Sequence, residues 1–548
     1  MIEGHGFWPL VEARAQRTPH ALCALDEHGA TLTFAELRER AERVAAALAA
    51  RGVGPDVRVS WQLPTWIESL VLVAALARLG AVQNPLLPIY REREIGFIVR
   101  EARPRWLVVP REFRGFDHEA LARRVLAAIE REGGAPCSLL VCDRALPEAD
   151  PAALTAYAPA RSESLRWIFY TSGTTADPKG ALHSDATMLA GSRGVVLRFE
   201  LGPDDRYPMV FPFTHIGGVG MLVVQLLCGA GAILVESYDE EHTPPLLGRH
   251  GVTLAAGGTP LVMRYLQHQR RHPETRVFPR LRAAMGGAAP KPPLLHSEVK
   301  AELGGAGVVS VYGLTEAPFV VLSSPRDPDD ALARCEGRAA GGAELRIVDA
   351  RGRLCAPDVE GEIRVRGPQI CHGYLDGKAD AEAFDADGFF RTGDLGSVDA
   401  RGFVRVTGRQ KEIIIRNGEN ISAKEIEDLL YTHPKIADAA VIGLPDDRTG
   451  ERCCAVVVPA PGASLDLAEI VRHCDAAGLA RQKLPEQLEL VAVLPRNASG
   501  KVLKHELRRQ VSRSPQGREA AAQRGEAERS AGPREGGNAS EVQKGGGS

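Results

Sequence analysis

The sequence predicts an α/β protein with a large, multi-layered N-terminal domain and a small α+β C-terminal domain. Its 548 residues are too many for one hydrophobic core, so two or more domains are expected. Short β-rich runs alternate with helical runs up to about residue 407, a pattern typical of sheets covered by helices. Large apolar residues become scarce beyond residue 509, which predicts a disordered tail.

The first long helix is predicted to begin at a capping box. Thr33 and Glu36 stand three residues apart, so each side chain can accept a backbone N–H at the helix start. Apolar residues then recur at helical spacing: Phe34, Leu37, Ala41, Val44 and Leu48. Gly52 supplies a stop, so we expect a surface helix packed on an apolar partner.

Two apolar stretches resemble membrane spans in length but not in detail. Residues 66–87 are interrupted by Glu68 and Arg78, which favours a buried helix followed by a strand. Residues 217–235 are broken by glycines at 229–231, which again predicts a helix and a strand. We therefore expect no membrane span.

The remaining elements divide the chain. Expected strands of the large domain include 106–109, 139–142, 165–170, 232–235 and 308–311. Closely spaced strands from residue 361 predict a small β-rich unit that closes this domain. Ser422 and Glu425 repeat the capping-box spacing and open a helix of the small domain. The predicted boundaries are 1–408 for the N-terminal domain, 409–510 for the C-terminal domain and 511–548 for the tail.

The composition argues against several functional classes. Lys and Arg (67) nearly balance Asp and Glu (70), and a net charge of -3 gives no support to a nucleic-acid partner. The ten cysteines form no C-x-x-C pair, which disfavours a structural zinc site. Without a recognisable secretory signal, these thiols favour a reducing, cytoplasmic location.

The loop at residues 170–180 carries the clearest chemical signal. Its sequence, Tyr-Thr-Ser-Gly-Thr-Thr-Ala-Asp-Pro-Lys-Gly, offers several hydroxyls, a flexible backbone and one cation. It follows a predicted strand and precedes a helix that Ser184 can cap, a setting where phosphates are often held. The spacing is not that of a P-loop. The loop indicates an oxygen-rich ligand such as a nucleoside triphosphate, although a plain polar turn has a similar composition.

Further motifs follow in a fixed order, at residues 213–217, 311–316, 390–394, 408–412, 418–420 and 494–501. The ordered set spans roughly residues 7 to 508. It resembles the adenylate-forming superfamily, which includes acyl-CoA synthetases, nonribosomal peptide adenylation domains and beetle luciferases. The resemblance implies an AMP-forming acid–thiol ligase that uses ATP, Mg²⁺ and CoA, with an AMP-binding N-terminal domain and a rotating C-terminal domain.

The resemblance also implies an ATP site made of Thr171, Ser172, Gly173, Thr174, Thr175, Lys179, Gly287, Ala288, Tyr312, Gly313, Thr315, Asp394 and Arg409. In that site Tyr312 stacks on adenine and Asp394 accepts hydrogen bonds from the ribose hydroxyls. Glu316, counted among the catalytic residues, holds Mg²⁺ together with Thr171, and a hydroxyl beside a carboxylate suits that ion. Taken alone, an aromatic residue before a glycine is usually only a packing residue.

Three other groups of residues follow from the same resemblance. Lys501 is the catalytic lysine that bridges carboxylate and phosphate oxygens, and Lys411 is the hinge about which the small domain rotates. Gly418, Glu419 and Asn420 line the CoA tunnel. The acyl pocket is formed by His215, Gly286 and Leu314. Without the resemblance, both lysines would be ordinary surface charges, and His215 an ordinary core histidine.

The substrate is less well defined. Amino-acid-activating relatives place an aspartate where Thr214 and His215 stand, which favours a plain carboxylic acid with an apolar body. Residues 83–94 and 108–115 resemble cyclohexanecarboxylate-CoA and fatty-acyl-CoA ligases, so we expect a medium-chain or alicyclic acid. A luciferase-like oxygenase and a catalytically silent nucleotide-binding protein stay open as alternatives. The sequence does not fix the oligomeric state, and a homodimer is compatible with it.

Overall fold

The structure is a computed structural model that describes residues 1–158, 161, 163–171, 178–417, 419–446, 448–497 and 500–512. Four residues of the predicted ATP site, Ser172, Gly173, Thr174 and Thr175, lie outside the described residues, as does Gly418 of the predicted CoA site. The predicted disorder of the tail also lies outside them, except that the last helix includes Val511.

The strands in chain order are β1 (Leu22–Asp26), β2 (Thr31–Thr33), β3 (Arg58–Trp61), β4 (Val82–Pro85), β5 (Trp106–Pro110), β6 (Glu112–Phe113), β7 (Phe116–Asp117), β8 (Ser138–Cys142), β9 (Leu165–Thr171), β10 (Lys179–Ser184), β11 (Arg206–Met209), β12 (Gly231–Leu234), β13 (Leu254–Ala255), β14 (Ala283–Gly287), β15 (Val308–Tyr312), β16 (Val321–Leu322), β17 (Arg338–Ala339), β18 (Glu344–Val348), β19 (Gly361–Arg366), β20 (Phe390–Val398), β21 (Val404–Arg409), β22 (Ile414–Arg416), β23 (Glu419–Ile421), β24 (Ile436–Asp446), β25 (Gly450–Pro459) and β26 (Gln487–Leu490).

The α-helices are α1 (Phe7–Arg17), α2 (Phe34–Ala49), α3 (Ile67–Arg78), α4 (Glu92–Ala102), α5 (His118–Arg131), α6 (Asp185–Phe199), α7 (Ile216–Cys228), α8 (Thr243–Arg249), α9 (Thr259–Arg271), α10 (Leu295–Glu302), α11 (Asp329–Arg334), α12 (Asp380–Ala383), α13 (Ala423–Leu430), α14 (Leu467–Ala476) and α15 (Lys504–Val511). Short 3₁₀ turns cover Pro151–Ala153, Gln410–Glu412 and Arg481–Lys483.

The large domain contains three sheets with mostly parallel strands. One has the order β10-β9-β4-β3-β5-β8, the second β11-β12-β1-β2 and the third β13-β14-β15-β16-β17. Helices α1, α2, α3, α6 and α7 contribute to the main hydrophobic core that lies between the first two sheets. Since β9 ends at Thr171 and β15 ends at Tyr312, predicted site residues follow the carboxyl ends of strands in two sheets.

Two larger sheets and the two-stranded β6-β7 sheet make up the rest of the strands in the described residues. An antiparallel sheet, β18-β19-β20-β21, is the β-rich unit expected from residue 361 onward. The small domain is a sheet of order β23-β22-β25-β24, with β26 added parallel to β25 and with α13, α14 and α15 packed on it. The predicted α/β class is confirmed. The proposed boundary at 408/409 falls inside β21 and stays a prediction.

The local predictions agree with the structure except at one cap. Thr33 and Glu36 form the reciprocal capping box at the start of α2. Ser422 caps α13 by accepting the Glu425 N–H, and its hydroxyl donates to the Thr407 carbonyl at 2.7 Å. The second half of the predicted box does not form, because the Glu425 carboxylate accepts from Lys483 Nζ at 2.7 Å instead.

The two apolar stretches form α3 with β4 and α7 with β12, as predicted. Among the described residues, no helix combines the length and apolar character needed to cross a bilayer. All ten cysteines lie in the described residues, and none forms a disulfide there.

Candidate active site

The first group of site residues is built on paired strands. The register of β20 and β21 places Asp394 directly opposite Arg409, and the Arg409 guanidinium donates to the Asp394 carboxylate. The Tyr312 hydroxyl, at the end of β15, donates to the other oxygen of this carboxylate at 2.8 Å. Asp394 is buried, and its backbone N–H donates to Thr392 Oγ1. Three predicted ATP-site residues are thus joined by hydrogen bonds.

These contacts determine the charge of the group. Burial favours loss of the Arg409 proton, but Asp394 more than offsets it and raises the pKa of Arg409. Burial, followed by the Asp394 charge, raises the pKa of Tyr312 far above its ordinary range. At neutral pH Arg409 is therefore a guanidinium and Tyr312 an undissociated phenol.

A second group surrounds Glu316, four residues after Tyr312. The Tyr374 hydroxyl donates to Glu316 Oε1 at 2.7 Å, while the Lys179 ammonium lies 5.1 Å from the centre of the Tyr374 ring. The Glu316 carbonyl accepts the Cys371 N–H at 2.8 Å. Tyr374 therefore connects the lysine of the 170–180 loop to the predicted metal ligand.

His183 holds the backbone of Thr315 by a hydrogen bond. His183 Nε2 lies 2.9 Å from the Thr315 carbonyl, and its Nδ1 lies 2.9 Å from Thr187 Oγ1. The side chain is completely buried, and burial lowers the pKa of His183 to about 4. The imidazole is neutral at pH 7, and Nε2 must carry the proton that the carbonyl accepts.

The glycine-rich segment 286–288 begins within β14, which ends at Gly287. Gly287 donates its N–H to Thr259 Oγ1 at 3.1 Å and adopts a φ of 151°. A β-carbon on Gly287 would lie 2.6 Å from the Val311 carbonyl oxygen, so only glycine fits against β15. Ala288 has a φ of 60°, an unusual left-handed conformation for this residue. The neighbouring strand β15 ends at Tyr312, and the exposed Gly313 and the half-buried Leu314 follow it in the chain.

A narrow cavity lies beside Thr315 and His215. Its volume is about 20 Å³, the space of roughly one water molecule. Its walls are Pro85, Leu87, Tyr90, Phe169, Tyr170, Thr214, His215, Ile216 and Thr315. His215 caps α7 by accepting the Gly217 N–H at Nδ1, and burial lowers the pKa of His215 to about 4. Gly286 and Leu314, the other predicted pocket residues, do not line this cavity.

The small domain contributes Lys501, whose backbone is held by two hydrogen bonds to Asn497. The Asn497 N–H donates to the Lys501 carbonyl, the Lys501 N–H donates to Asn497 Oδ1, and both distances are 2.8 Å. Arg496 donates to the Gly500 carbonyl at 2.6 Å. A β-carbon on Gly500 would lie 3.1 Å from Pro260 Cγ, so this loop contacts the start of α9 in the large domain.

The Lys501 ammonium lies between charges of both signs. Its Nζ is 3.6 Å from Glu412 Oε1. Burial, followed by Arg409, lowers the pKa of Lys501, and Glu412 and Asp394 oppose that shift. Lys501 is therefore close enough to the Asp394–Arg409 pair for both to influence its proton.

The other predicted small-domain residues lie apart from this group. Lys411 is exposed in the 3₁₀ turn Gln410–Glu412. Glu419 and Asn420 are exposed in β23, where they pair with Arg416 and Ile415 of β22.

Two predicted phosphate-binding residues of the large domain are neighbours. Thr171 and Lys179 face each other across the β9–β10 ladder.

Comparison with known proteins identifies the family. The AMP-binding enzyme family matches residues 11–375, and the AMP-binding enzyme C-terminal domain matches residues 425–501. The chain belongs to the AMP-binding enzyme family. The predicted class, an AMP-forming acid–thiol ligase of the adenylate-forming superfamily, is confirmed.

Relatives of this AMP-binding enzyme cover nearly its whole length. The medium-chain fatty-acid–CoA ligase of Escherichia coli (strain K12) is 32% identical over 511 residues, covering 91% of this chain and 89% of the relative. The 3-[(3aS,4S,7aS)-7a-methyl-1,5-dioxo-octahydro-1H-inden-4-yl]propanoyl:CoA ligase of Mycobacterium tuberculosis (strain ATCC 25618 / H37Rv) is 35% identical, covering 87% and 93%. ATP-bound MatB from Rhodopseudomonas palustris has a TM-score of 0.82 at 31% identity, covering 92% and 99%.

Several residues of this AMP-binding enzyme's site were not foreseen from its sequence. Tyr374 and His183 contact Glu316 and Thr315 from distant parts of the chain, and no local pattern marks them. Glu412 stands in the motif 408–412, next to the predicted hinge, but nothing in the motif indicates its charge partner. Its pairing with Lys501 depends on how the small domain folds.

Proposed function

We propose that this protein is an ATP-dependent acyl-CoA ligase that activates a medium-chain fatty or alicyclic acid. In the first half-reaction, a carboxylate oxygen of the acid attacks the α-phosphorus of ATP. The bond between the α- and β-phosphates breaks, and pyrophosphate leaves. In the second, the CoA sulfur attacks the carbonyl carbon of the acyl-AMP, the thiol proton passes to solvent, and AMP leaves.

What supports this proposal most is the group formed by Tyr312, Asp394 and Arg409 with Lys501 beside it. The Asp394 carboxylate is the acceptor for the ribose hydroxyls, and the Tyr312 ring is the surface on which adenine stacks. Arg409 contacts the ribose or the α-phosphate. Thr315 contacts the α-phosphate, and Thr171 and Lys179 hold the outer phosphates together with the loop between them.

The donor set beside the phosphates suits Mg²⁺. Glu316 and Thr171 offer a carboxylate and a hydroxyl, the hard oxygen ligands that this ion prefers. Tyr374 holds one carboxylate oxygen of Glu316 by a 2.7 Å hydrogen bond and so fixes the direction of the other. When bound, Mg²⁺ would offset the negative charge of the phosphate oxygens.

Lys501 is the group that acts on the reacting atoms. Two anions, the carboxylate and the α-phosphate, must approach each other, and a preorganised ammonium between them lowers the cost. The lysine comes from the small domain and is part of the site only while the two domains are in this arrangement.

The second half-reaction uses a different domain arrangement. Rotation about Lys411 would remove Lys501 and bring the exposed Glu419 and Asn420 of β23 to the nucleotide, with Gly418 beside them, to line the path of the CoA thiol. A thiol is intrinsically nucleophilic, so no further base is required. Both domains and all ten free cysteines suit an enzyme of the cytoplasm.

Two relatives support the choice of acid. One is named for medium-chain fatty acids and one for a propanoate that bears a saturated fused ring system. The walls of the cavity beside His215 are largely apolar, which suits an apolar acyl group once the side chains move apart. Gly286 and Leu314 would border that group on the nucleotide side.

The experiment is a pyrophosphate-release screen over linear, alicyclic and aromatic acids, with and without CoA. We expect the highest kcat/KM for linear medium-chain or alicyclic acids, and acyl-CoA only when CoA is present. Preference for an aromatic acid would reject the proposed substrate class. Light emission or oxygen uptake with a supplied adenylate would instead identify the oxygenase alternative, and no turnover with any acid would identify the silent one.

A further inference from the structure

Four charged side chains of alternating sign form a row that begins at Lys501 and includes Glu412, the residue after the proposed hinge Lys411. Glu412, the last residue of the 3₁₀ turn that contains Lys411, lies 3.6 Å from Lys501 Nζ and 3.1 Å from Lys504 Nζ. Lys504 also lies 2.7 Å from Glu427, which accepts the Val441 N–H at 2.8 Å. The order of charges is therefore Lys501, Glu412, Lys504, Glu427.

Glu412 pairs with Lys504 on one side and with Lys501 on the other. Its side chain is 24% exposed and that of Lys504 only 11%, so solvent screens their pairing weakly. Burial alone would raise the pKa of Glu412, but Lys504 and then Lys501 lower it to about 2. The carboxylate therefore stays charged across the working pH range of a ligase.

Without the Glu412 carboxylate, Lys501 would lie among more positive than negative charges. The charged groups around its ammonium are Arg409, Glu412, Asp394 and Lys504. Arg409 already neutralises Asp394, since the two form an ion pair. With Glu412 removed, Arg409 and Lys504 would both repel the Lys501 ammonium, and no unshared carboxylate of this set would offset them.

We propose that Glu412 is a positioning residue for adenylation, which keeps Lys501 charged and held beside the Asp394–Arg409 pair. The inference rests on the proposed function, because it assumes that Lys501 acts in the first half-reaction. It adds a second role to the hinge turn: the residue next to Lys411 also fixes the lysine that rotation brings in. Glu412 itself does not contact substrate.

The test compares Glu412→Gln with Glu412→Asp and with a matched control, Glu425→Gln. Glu425 also pairs with a lysine of the small domain, Lys483 at 2.7 Å, but it lies on the exposed face of α13. Acyl-AMP formation is measured as acid-dependent ATP–pyrophosphate exchange over a range of pH. Thermal unfolding of each variant reports whether it folds.

We expect Glu412→Gln to slow exchange about tenfold and to move the alkaline limb of its pH profile down by about one pH unit, because an opposite charge at this range shifts a pKa by about that much. The sign follows from Lys501, which must be protonated and whose pKa falls further without Glu412. Glu412→Asp keeps the charge at greater distance and should show a smaller shift. Glu425→Gln should match the wild type.

An unchanged alkaline limb in folded Glu412→Gln would overturn the proposal, as would an equal shift in Glu425→Gln. If Glu412→Gln does not fold, Glu412→Asp is the deciding variant. An alkaline limb of its pH profile that coincides with that of the wild type counts against the proposed role of Glu412. The Lys501→Ala variant distinguishes the proposed role of Lys501 from that of Glu412. Exchange that survives in Lys501→Ala rejects the role of the lysine, whereas lost exchange with an unshifted Glu412→Gln profile rejects only the role of Glu412.

Discussion

The Tyr312 hydroxyl and the Asp394 carboxylate are joined by a 2.8 Å hydrogen bond between two different sheets of the large domain. One residue is proposed to stack on adenine and the other to bind the ribose. The bond fixes their separation before a nucleotide arrives, so part of the ordering cost of binding has already been met.

Tyr312→Phe should raise the KM for ATP while leaving kcat nearly unchanged. The ring remains for stacking, but the hydrogen bond to a charged acceptor is lost, worth about 1.5 kcal/mol or roughly tenfold. Steady-state kinetics with ATP as the varied substrate measure the effect. Tyr207→Phe is the control, because it removes a buried hydroxyl that donates to the Met221 carbonyl at 3.0 Å. A fall in kcat with constant KM would contradict the stated role.

Lys501→Ala should abolish acyl-AMP formation but spare thioester formation from a supplied acyl-AMP. Loss of a preorganised donor to the transition state costs roughly 10²–10³ in rate. Pyrophosphate release measures the first half-reaction, and acyl-CoA formed from acyl-AMP and CoA measures the second. Lys483→Ala removes a half-buried lysine of the same domain, which pairs with Glu425 away from the site, and should change neither. Equal loss of both half-reactions would show that Lys501 has a general structural role.

Tyr374→Phe should raise the Mg²⁺ concentration needed for half-maximal adenylation. The Tyr374 hydroxyl holds Glu316 Oε1, and losing such an orienting partner commonly weakens metal binding by about tenfold or more. A Mg²⁺ titration at saturating ATP and acid gives the value, with Tyr207→Phe as the control. The same Mg²⁺ requirement as the wild type would exclude Glu316 as a ligand oriented by Tyr374.

His183→Gln should flatten the dependence of stability on pH between about 6.5 and 4. Burial lowers the pKa of His183 to about 4 in the folded protein, against about 6.5 in the unfolded chain. The unfolded state therefore binds the proton more readily. The contribution is fully present above pH 6.5 and is lost as pH falls through this interval, by at most about 3 kcal/mol.

Urea unfolding followed by tryptophan fluorescence at several pH values measures this slope. His183→Gln should be less stable at pH 7, because it loses contacts to Thr187 and Thr315, yet lose less stability on acidification. His118 and His215 stay in both proteins, so their titration cancels in the comparison. Parallel curves for variant and wild type would show that His183 does not titrate as stated.

The sequence predicted what depends on local order along the chain. Capping at Thr33, the apolar α7 and the strand before the 170–180 loop follow from short-range patterns. The alternation of strands and helices predicted the fold class, and the ordered motifs predicted the family. The half-formed box at Ser422 departs from prediction because the Glu425 carboxylate, which would accept the Ser422 N–H, accepts instead from Lys483 Nζ at 2.7 Å, and Lys483 lies 58 positions away in the chain.

The contacts within the site were less predictable. Tyr374 reaches Glu316 across 58 positions of sequence, and Lys501 reaches Glu412 only through the folded small domain. A motif names the residues that share a site but not the side chains that orient them. Tertiary packing decides those partners, as it does for His183 behind Thr315.

The direct pairing of Asp394 with Arg409 has a consequence for the order of the two half-reactions. Both residues precede Lys411, so the proposed rotation of the small domain about that residue would leave this strand pair in place. The mononucleotide part of the intermediate can then keep its place while the catalytic lysine is exchanged for the thiol path. Under the proposed mechanism the reactive mixed anhydride would not be transferred between separate chambers, which would limit its escape and hydrolysis.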